Sequence, residues 1–164
     1  MVVRAAQATA AALVALALGA CAVPSQYLGI PTRGGITAEE RLAIRQAVDA
    51  GQLGQGHCMW IDELSNARTS LPCAALPNSV LATYAWTDHK HALLELGKRA
   101  EEGRGIAQDL DKAEKLYERA ASTTNGGTAV ATQNGYEPVT WTSAVGLPEA
   151  RARLDALRAR RAAR

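Results

Sequence analysis

The fold is decided by residues 92–121, which run ALLELGKRAEEGRGIAQDLDKAEKLYERAA. Apolar residues recur three or four positions apart in each half, as on one face of an α-helix. Gly103 and Gly105 interrupt the pattern between the halves, and glycine is common just beyond a helix C-terminus. The stretch predicts helices over 88–102, capped by Thr87 or Asp88, and over 110–122, joined by a tight turn into an α-helical hairpin.

Gly97 lies in the middle of the first of these helices. A glycine inside a helix costs about 1 kcal/mol relative to alanine. Its presence there indicates that another helix packs very close to this point.

The stretch also resembles the Sel-one-like repeat, a branch of the tetratricopeptide superfamily. The matching residues are Ala92, Leu96, Gly97, Gly103, Gly105, Asp109, Lys112, Ala113, Tyr117, Ala120 and Ala121. Residues 146–157 resemble the opening helix of a next repeat, with Gly146, Ala150 and Leu154 in register. The resemblance implies about one and a half repeat units over 87–164 and a role in binding other proteins.

Residues 122–145 separate the two repeat-like segments, and a loop of this length is usually functional or disordered. Thr, Gly and Asn dominate it, Asn134-Gly135 favours a small turn, and Tyr136 and Trp141 are its aromatic residues. A final helix is predicted over 148–162. Its inward residues are Ala150, Leu154 and Leu157, and its outer face is rich in arginine.

That basic outer face has two interpretations: a solvated cap, or a contact with anionic lipid or an acidic partner. The predicted partner-binding residues combine the insertion with this helix. They are Tyr136, Trp141, Arg151, Arg158 and Arg161.

Residues 36–86 are predicted to form a helical N-terminal cap. Its first helix covers 38–50, with Thr37 and Glu40 as a capping box and an apolar stripe of Leu42, Ala43, Ala47 and Val48. Short helical pieces are predicted over 59–65 and 79–86, with Trp60, Tyr84 and Trp86 as core residues rather than a ligand-stacking surface. The predicted fold class is all-α, consistent with a hydrophobic content that is mostly alanine and leucine.

Three cysteines are present, and two of them, Cys58 and Cys73, remain if Cys21 is modified. In an oxidising compartment such a pair forms a disulfide, which would contribute about 3 kcal/mol by closing a loop of about 15 residues. The alternative is a metal site that recruits His57, or His89 and His91, but the spacing of these residues suits one poorly. We therefore predict a disulfide and no metal.

Residues 1–20 have the pattern of a secretory signal peptide, with Arg4 before an apolar stretch over 8–18 that is too short to span a membrane. Leu18-Gly19-Ala20-Cys21 resembles the bacterial lipobox, which implies a lipid on Cys21. The alternative is an ordinary cleavable signal. Residues 21–35 are predicted to be a flexible tether with a reach of about 20 Å. Since no aspartate follows Cys21, the expected location is the outer membrane, facing the periplasm.

The net charge of +2 implies no strong global field, and the chain shows no pattern of a catalytic nucleophile. The acidic pairs Asp62-Glu63 and Glu101-Glu102 are adjacent residues, which point apart on a helix. We therefore expect no catalytic residues and no cofactor, and the compartment excludes nucleic acid. The expected function is a lipid-anchored scaffold for an envelope protein. The alternatives are a peptidoglycan- or β-lactam-binding enzyme and an accessory subunit of an envelope complex.

Overall fold

The computed structural model describes residues 23–32, 34, 36–61, 68–124, 127–130, 138–141 and 144–163. Five α-helices lie in this part of the chain: α1 Ala38–Asp49, α2 Asn78–Trp86, α3 Lys90–Glu102, α4 Leu110–Ala121 and α5 Pro148–Ala162. Three antiparallel strand pairs accompany them: β1 Gln26–Tyr27 with β2 Ile30–Pro31, β3 Cys58–Ile61 with β4 Arg68–Leu71, and β5 Gly127–Val130 with β6 Pro138–Trp141. The protein is therefore mostly helical, as predicted, but the all-α class is wrong.

Helices α2 to α5 pack side by side in chain order, so that α3 contacts α2 and α4, and α4 also contacts α5. The helical spacing of the apolar residues explains this order, since each helix buries one stripe against its neighbours. The core side chains with almost no exposure include Leu81, Leu93, Leu96, Leu116, Tyr117, Leu154 and Leu157. The predicted inward face of the last helix is confirmed.

The α3–α4 hairpin begins later than predicted. Its N-cap is His89, not Thr87 or Asp88, and the His89 Nδ1 atom accepts a hydrogen bond of 3.3 Å from the Ala92 amide. Helix α3 ends at Gly103, which has the left-handed conformation (φ 73°) that glycine adopts without strain. Asp109 caps α4 by accepting from the Lys112 amide at 2.8 Å.

Residues 59–61 are a strand and not the start of a helix. Cys58 pairs with Leu71 and Ile61 with Arg68. Cys58 and Trp60 are buried while Met59 is exposed, which is the two-residue alternation of a half-buried strand. The predicted disulfide is confirmed: Cys58 on β3 is joined to Cys73, which opens a short 3-10 helix over Cys73–Ala75.

The prediction of a free tether is wrong for residues 23–32. They form a hairpin whose turn, Leu28-Gly29, has positive φ at both residues (49° and 75°). Val23 (5% exposed) and Ile30 (2%) are buried, and the Thr83 hydroxyl of α2 donates to the Thr32 carbonyl at 2.8 Å. This segment belongs to the folded domain.

Helix α1 and its capping box are confirmed, but its predicted apolar stripe is partly wrong. Leu42 (53% exposed) and Val48 (39%) face solvent, whereas Ala47 is buried and Ile44 packs against the core. Trp60 is a core residue as predicted, and Tyr84 and Trp86 pack against the core while partly exposed.

The insertion contains a two-stranded ribbon, β5–β6, in which Gly127 pairs with Trp141 and Val130 with Pro138. At its base, Thr124 and Ala144 exchange two backbone hydrogen bonds of 3.0 Å. The predicted turn at Asn134-Gly135 lies outside the described residues.

Candidate functional site

Two of the arginines predicted to meet a partner are engaged within the molecule. Arg158 Nε lies 2.7 Å from Glu114 Oε1, and a second nitrogen of Arg158 contacts Glu118. Arg161 contacts Asp111 at 2.6 Å and Glu114 at 2.8 Å. These ion pairs join α5 to α4. The charges of both arginines are therefore already balanced by carboxylates of α4.

The other three predicted contact residues have different positions. Arg151 is exposed on α5 and forms no ion pair with any residue of the described ranges. Trp141 ends strand β6, opposite Gly127. Tyr136 lies outside the described residues, as do the predicted lipidation site Cys21 and the predicted signal segment 1–20.

The close helix contact predicted at Gly97 is present, and its partner is Tyr117. A Cβ atom added to Gly97 would lie 2.5 Å from Tyr117 Cε1, so the ring rests directly on the backbone of α3. The Tyr117 hydroxyl donates to Glu101 Oε2 at 2.7 Å. Burial, and then the Glu101 carboxylate, raise the pKa of Tyr117.

Glu101 is also the point where α5 meets α3. Arg153 Nη1 lies 3.4 Å from Glu101 Oε2, and Arg160 contacts the other carboxylate oxygen. Burial by itself raises the pKa of Glu101, but the hydrogen bonds from Tyr117 and Arg160 outweigh it and lower the pKa. Glu101 is therefore a charged structural link between three helices.

Two further networks hold charge inside the fold. Lys90, 5% exposed, contacts Asp88 at 2.7 Å and the Arg119 carbonyl at 2.8 Å, and Arg119 also contacts Asp88 and the Tyr27 hydroxyl. Because Tyr27 lies on β1, this network attaches the N-terminal hairpin to α4.

The second network centres on Glu95 and Arg99, which pair at 3.0 Å and are each 6% exposed. Arg99 also donates to Asn78 Oδ1 at 2.7 Å and to the Ala74 carbonyl at 2.9 Å, and Arg104 reaches Glu95 at 2.8 Å. Sequence reasoning missed this network because its members come from two separated stretches of the chain, 74–78 and 95–104. The spacing of Glu95 and Arg99, four residues apart on a helix, was the available signal.

The three histidines of the chain lie together, which the sequence did not predict. The rings of His57 and His91 are stacked with centroids 3.7 Å apart and planes 9° apart. His89 lies 6.2 Å from His91, and the Tyr84 ring lies 5.5 Å from His89. The signal was weak, since His57 is more than 30 residues from the other two.

The environment of His89 and His91 favours the uncharged imidazole. Burial lowers the pKa of His91 to about 4, with His57 and His89 acting in the same direction. Burial also lowers the pKa of His89. Within the described ranges, no group of three or more His, Cys, Asp or Glu side chains is placed to hold a metal ion.

Comparison with known proteins finds no matching family model, no matching curated protein and no matching solved structure. Among the helices of the described residues, none has the length and apolar character needed to cross a membrane.

Proposed function

We propose that the protein is a lipid-anchored interaction module of the bacterial cell envelope. Cys21 carries the lipid, a Sel-one-like helical hairpin forms the scaffold, and the β5–β6 ribbon presents the binding surface for an envelope protein. The proposal combines the patterns at the two ends of the sequence with the arrangement of the described residues.

The anchor is supported by the lipobox-like residues 18–21, and the position of Val23 determines how close to the folded domain the anchor would be attached. Val23 is 5% exposed, and it follows Cys21 by two residues. Two extended residues span about 7 Å at most, far less than the 20 Å of a free tether. A lipid on Cys21 would therefore be attached within two residues of the folded domain and would hold the domain at the membrane surface.

The scaffold is supported by the positions at which the chain resembles the repeat. Six of them are buried at helix contacts: Ala92, Leu96, Gly97, Ala113, Tyr117 and Ala120. Gly146 lies so close to the Ala121 carbonyl that a Cβ atom would clash with it. Two glycines of the pattern, Gly97 and Gly146, thus coincide with places where another segment lies directly on the backbone.

The main observation that supports an interaction role is the β5–β6 ribbon. With only two strands, β5 and β6 pair with each other, and each leaves the other edge of its backbone without a strand partner among the described residues. An open strand edge binds an extended segment of another protein by adding it as a further strand. Val145, next to the base of the ribbon, is 73% exposed and extends this surface with an apolar side chain.

Photo-crosslinking in intact cells tests the interaction. A photoreactive residue is placed at Thr128 or Ala129, two successive positions that sample both faces of β5, and at the exposed Leu42 of α1 as a control. We expect an adduct of one defined mass from the ribbon positions and none from Leu42. Equal labelling at all three positions, or none in membrane-bound protein, would contradict the interaction role.

The anchor is tested separately by mass spectrometry of the mature protein from membranes. We expect the N-terminal peptide to begin at Cys21 and to carry a diacylglycerol and an acyl group. An unmodified Cys21, or a retained segment 1–20, would exclude the anchor without bearing on the ribbon.

A further inference from the structure

The three histidines lie where the segment that leads into β3 meets the start of α3, at the edge of a core that both elements share. His57 directly precedes β3, which carries the disulfide, whereas His89 and His91 lie at the start of α3. His57 is exposed, and His89 and His91 are partly buried. Water and protons therefore reach the cluster from the His57 side.

We propose that His57, His89 and His91 form an acid-sensitive latch. While His89 and His91 are uncharged, the latch strengthens the contact between the β3–β4 hairpin and the start of α3, and their protonation loosens it. The Cys58–Cys73 disulfide keeps the loosened hairpin attached to the domain. This inference goes beyond the proposed function and depends on neither the lipid nor a partner.

His89 connects the histidine cluster to helix α3, because it is the N-cap of that helix. Its Nδ1 atom accepts the Ala92 N–H, and an imidazolium has no acceptor nitrogen, so protonation at this atom removes the cap. A positive charge at a helix N-terminus is also disfavoured by the helix dipole. Protonated His89 is therefore unfavourable in the closed arrangement for two independent reasons.

The stacking of His57 on His91 connects the histidine cluster to the β3–β4 hairpin. The two rings are parallel, with centroids 3.7 Å apart. Burial first, and then the neighbouring His57, lower the pKa of His91, so a proton on His91 is disfavoured while the rings are stacked. Acidification therefore weakens the contact that holds His57 in place.

The charged groups around the histidines do not cancel this weakening of their contacts by acid. Glu149 of α5 is the carboxylate that raises the pKa of His91, but it pairs with Lys98 at 2.6 Å and lies 3.8 Å from Arg153. Asp88, next to His89 in the chain, is engaged by Lys90 and Arg119.

From α2, the neutral Tyr84 ring faces His89, and Arg68 of β4 adds positive charge near that ring. Each nearby carboxylate of the described residues is thus matched by a cation.

The direction of the pH effect follows from His91. Its pKa is about 4 in the closed state, and an opened His91 has the ordinary value near 6.5. Closure is favoured above pH 6.5 and is lost as the pH falls towards 4. Between pH 7 and pH 5 these two pKa values correspond to an increase in opening of at most about 20-fold, and because His91 is partly exposed we expect about tenfold.

Amide hydrogen exchange of the disulfide-intact protein tests the latch. Protection factors, corrected for intrinsic exchange, are compared at pH 7 and pH 5 for Cys58–Ile61, Arg68–Leu71 and Ala92, with α4 amides as an internal reference. We expect protection to fall about tenfold in the hairpin and at Ala92 but not in α4. Unchanged protection in the hairpin, or an equal fall in α4, would overturn the latch.

Two variants separate the latch from general acid sensitivity. His89→Asn keeps a good N-cap that does not titrate, and combined with His91→Asn it should make hairpin protection independent of pH between 7 and 5. The single variant His57→Asn changes only an exposed side chain, and should reduce the pH effect by removing the stack. If both variants keep the wild-type pH dependence, the histidines are not responsible and the proposal fails.

Discussion

Single residues set the distance between the central helices. Gly97 allows the Tyr117 ring to lie on the backbone of α3, and Glu101 fixes the hydroxyl end of that ring. Close packing at Gly97 was predictable, because a glycine inside a helix has a cost that needs a compensating contact. The identity of the partner was not, because it depends on how α4 is rotated against α3.

Gly97→Ala should therefore destabilise the protein. The added methyl group gains up to about 1 kcal/mol of helix propensity. It also forces the fully buried Tyr117 ring to move away from a hydrogen-bonded position, and overpacking of this kind costs about 1–3 kcal/mol. We expect a net loss in the free energy of unfolding, measured by chemical denaturation.

The double variant Gly97→Ala/Tyr117→Leu is the matched control for this contact. Leucine leaves room for the new methyl group, so Gly97→Ala should cost less in that background than in wild type. Equal costs in the two backgrounds would mean that Tyr117 is not the source of the strain.

At the scale of elements, hydrogen bonds between segments determine how helices and hairpins join. Glu40 is the clearest case, since Oε2 accepts from the Thr37 amide at 2.9 Å and Oε1 from the Asn78 amide at 2.9 Å. One carboxylate thus caps α1 and binds the start of α2. The sequence predicted the first contact as a capping box, but the second joins residues 38 positions apart.

Glu40→Ala should cost about 1–2 kcal/mol, because two backbone donors lose their acceptor. Glu39→Ala removes an acidic residue from the same helical turn without either contact, so its effect should be within about 0.5 kcal/mol. Chemical denaturation of the two variants measures the difference. A similar cost for both would show that a negative charge near the helix N-terminus explains the contribution of Glu40. The two hydrogen bonds that its carboxylate accepts would then contribute little.

At the scale of the whole molecule, the N-terminal hairpin determines how a lipid on Cys21 would position the domain. Val23 and Ile30 are buried, and Tyr27 is joined to Arg119 of α4. In the sequence, only Ala22 separates Cys21 from the buried Val23. Attachment at Cys21 would therefore orient the domain as well as retain it.

A linker insertion should reveal this orientation. Energy transfer from a fluorophore at Leu28, in the turn of the N-terminal hairpin, to acceptors in the membrane should be strong in the lipidated protein. Insertion of ten Gly/Ser residues after Ala22 adds a flexible segment with a mean span of about 17–19 Å and should weaken the transfer. A fluorophore at exposed Leu53 should respond by a different amount, and identical responses at both positions would contradict a fixed orientation.

The sequence by itself determined the helical character, the α3–α4 hairpin, the last helix and the disulfide, because these depend on apolar spacing, glycine positions and two available thiols. It did not determine β1–β2 and β3–β4, whose strands have only two to four residues and are stabilised by pairing with a neighbour and by burial.

Tertiary structure alone decided which charges are free and which are paired. Arg158 and Arg161 are committed to α4, Arg151 remains exposed, and three histidines distant in sequence meet at one point. The physical reason is the same in each case: charge and hydrogen-bonding partners come from other elements, and their positions follow from how the helices pack.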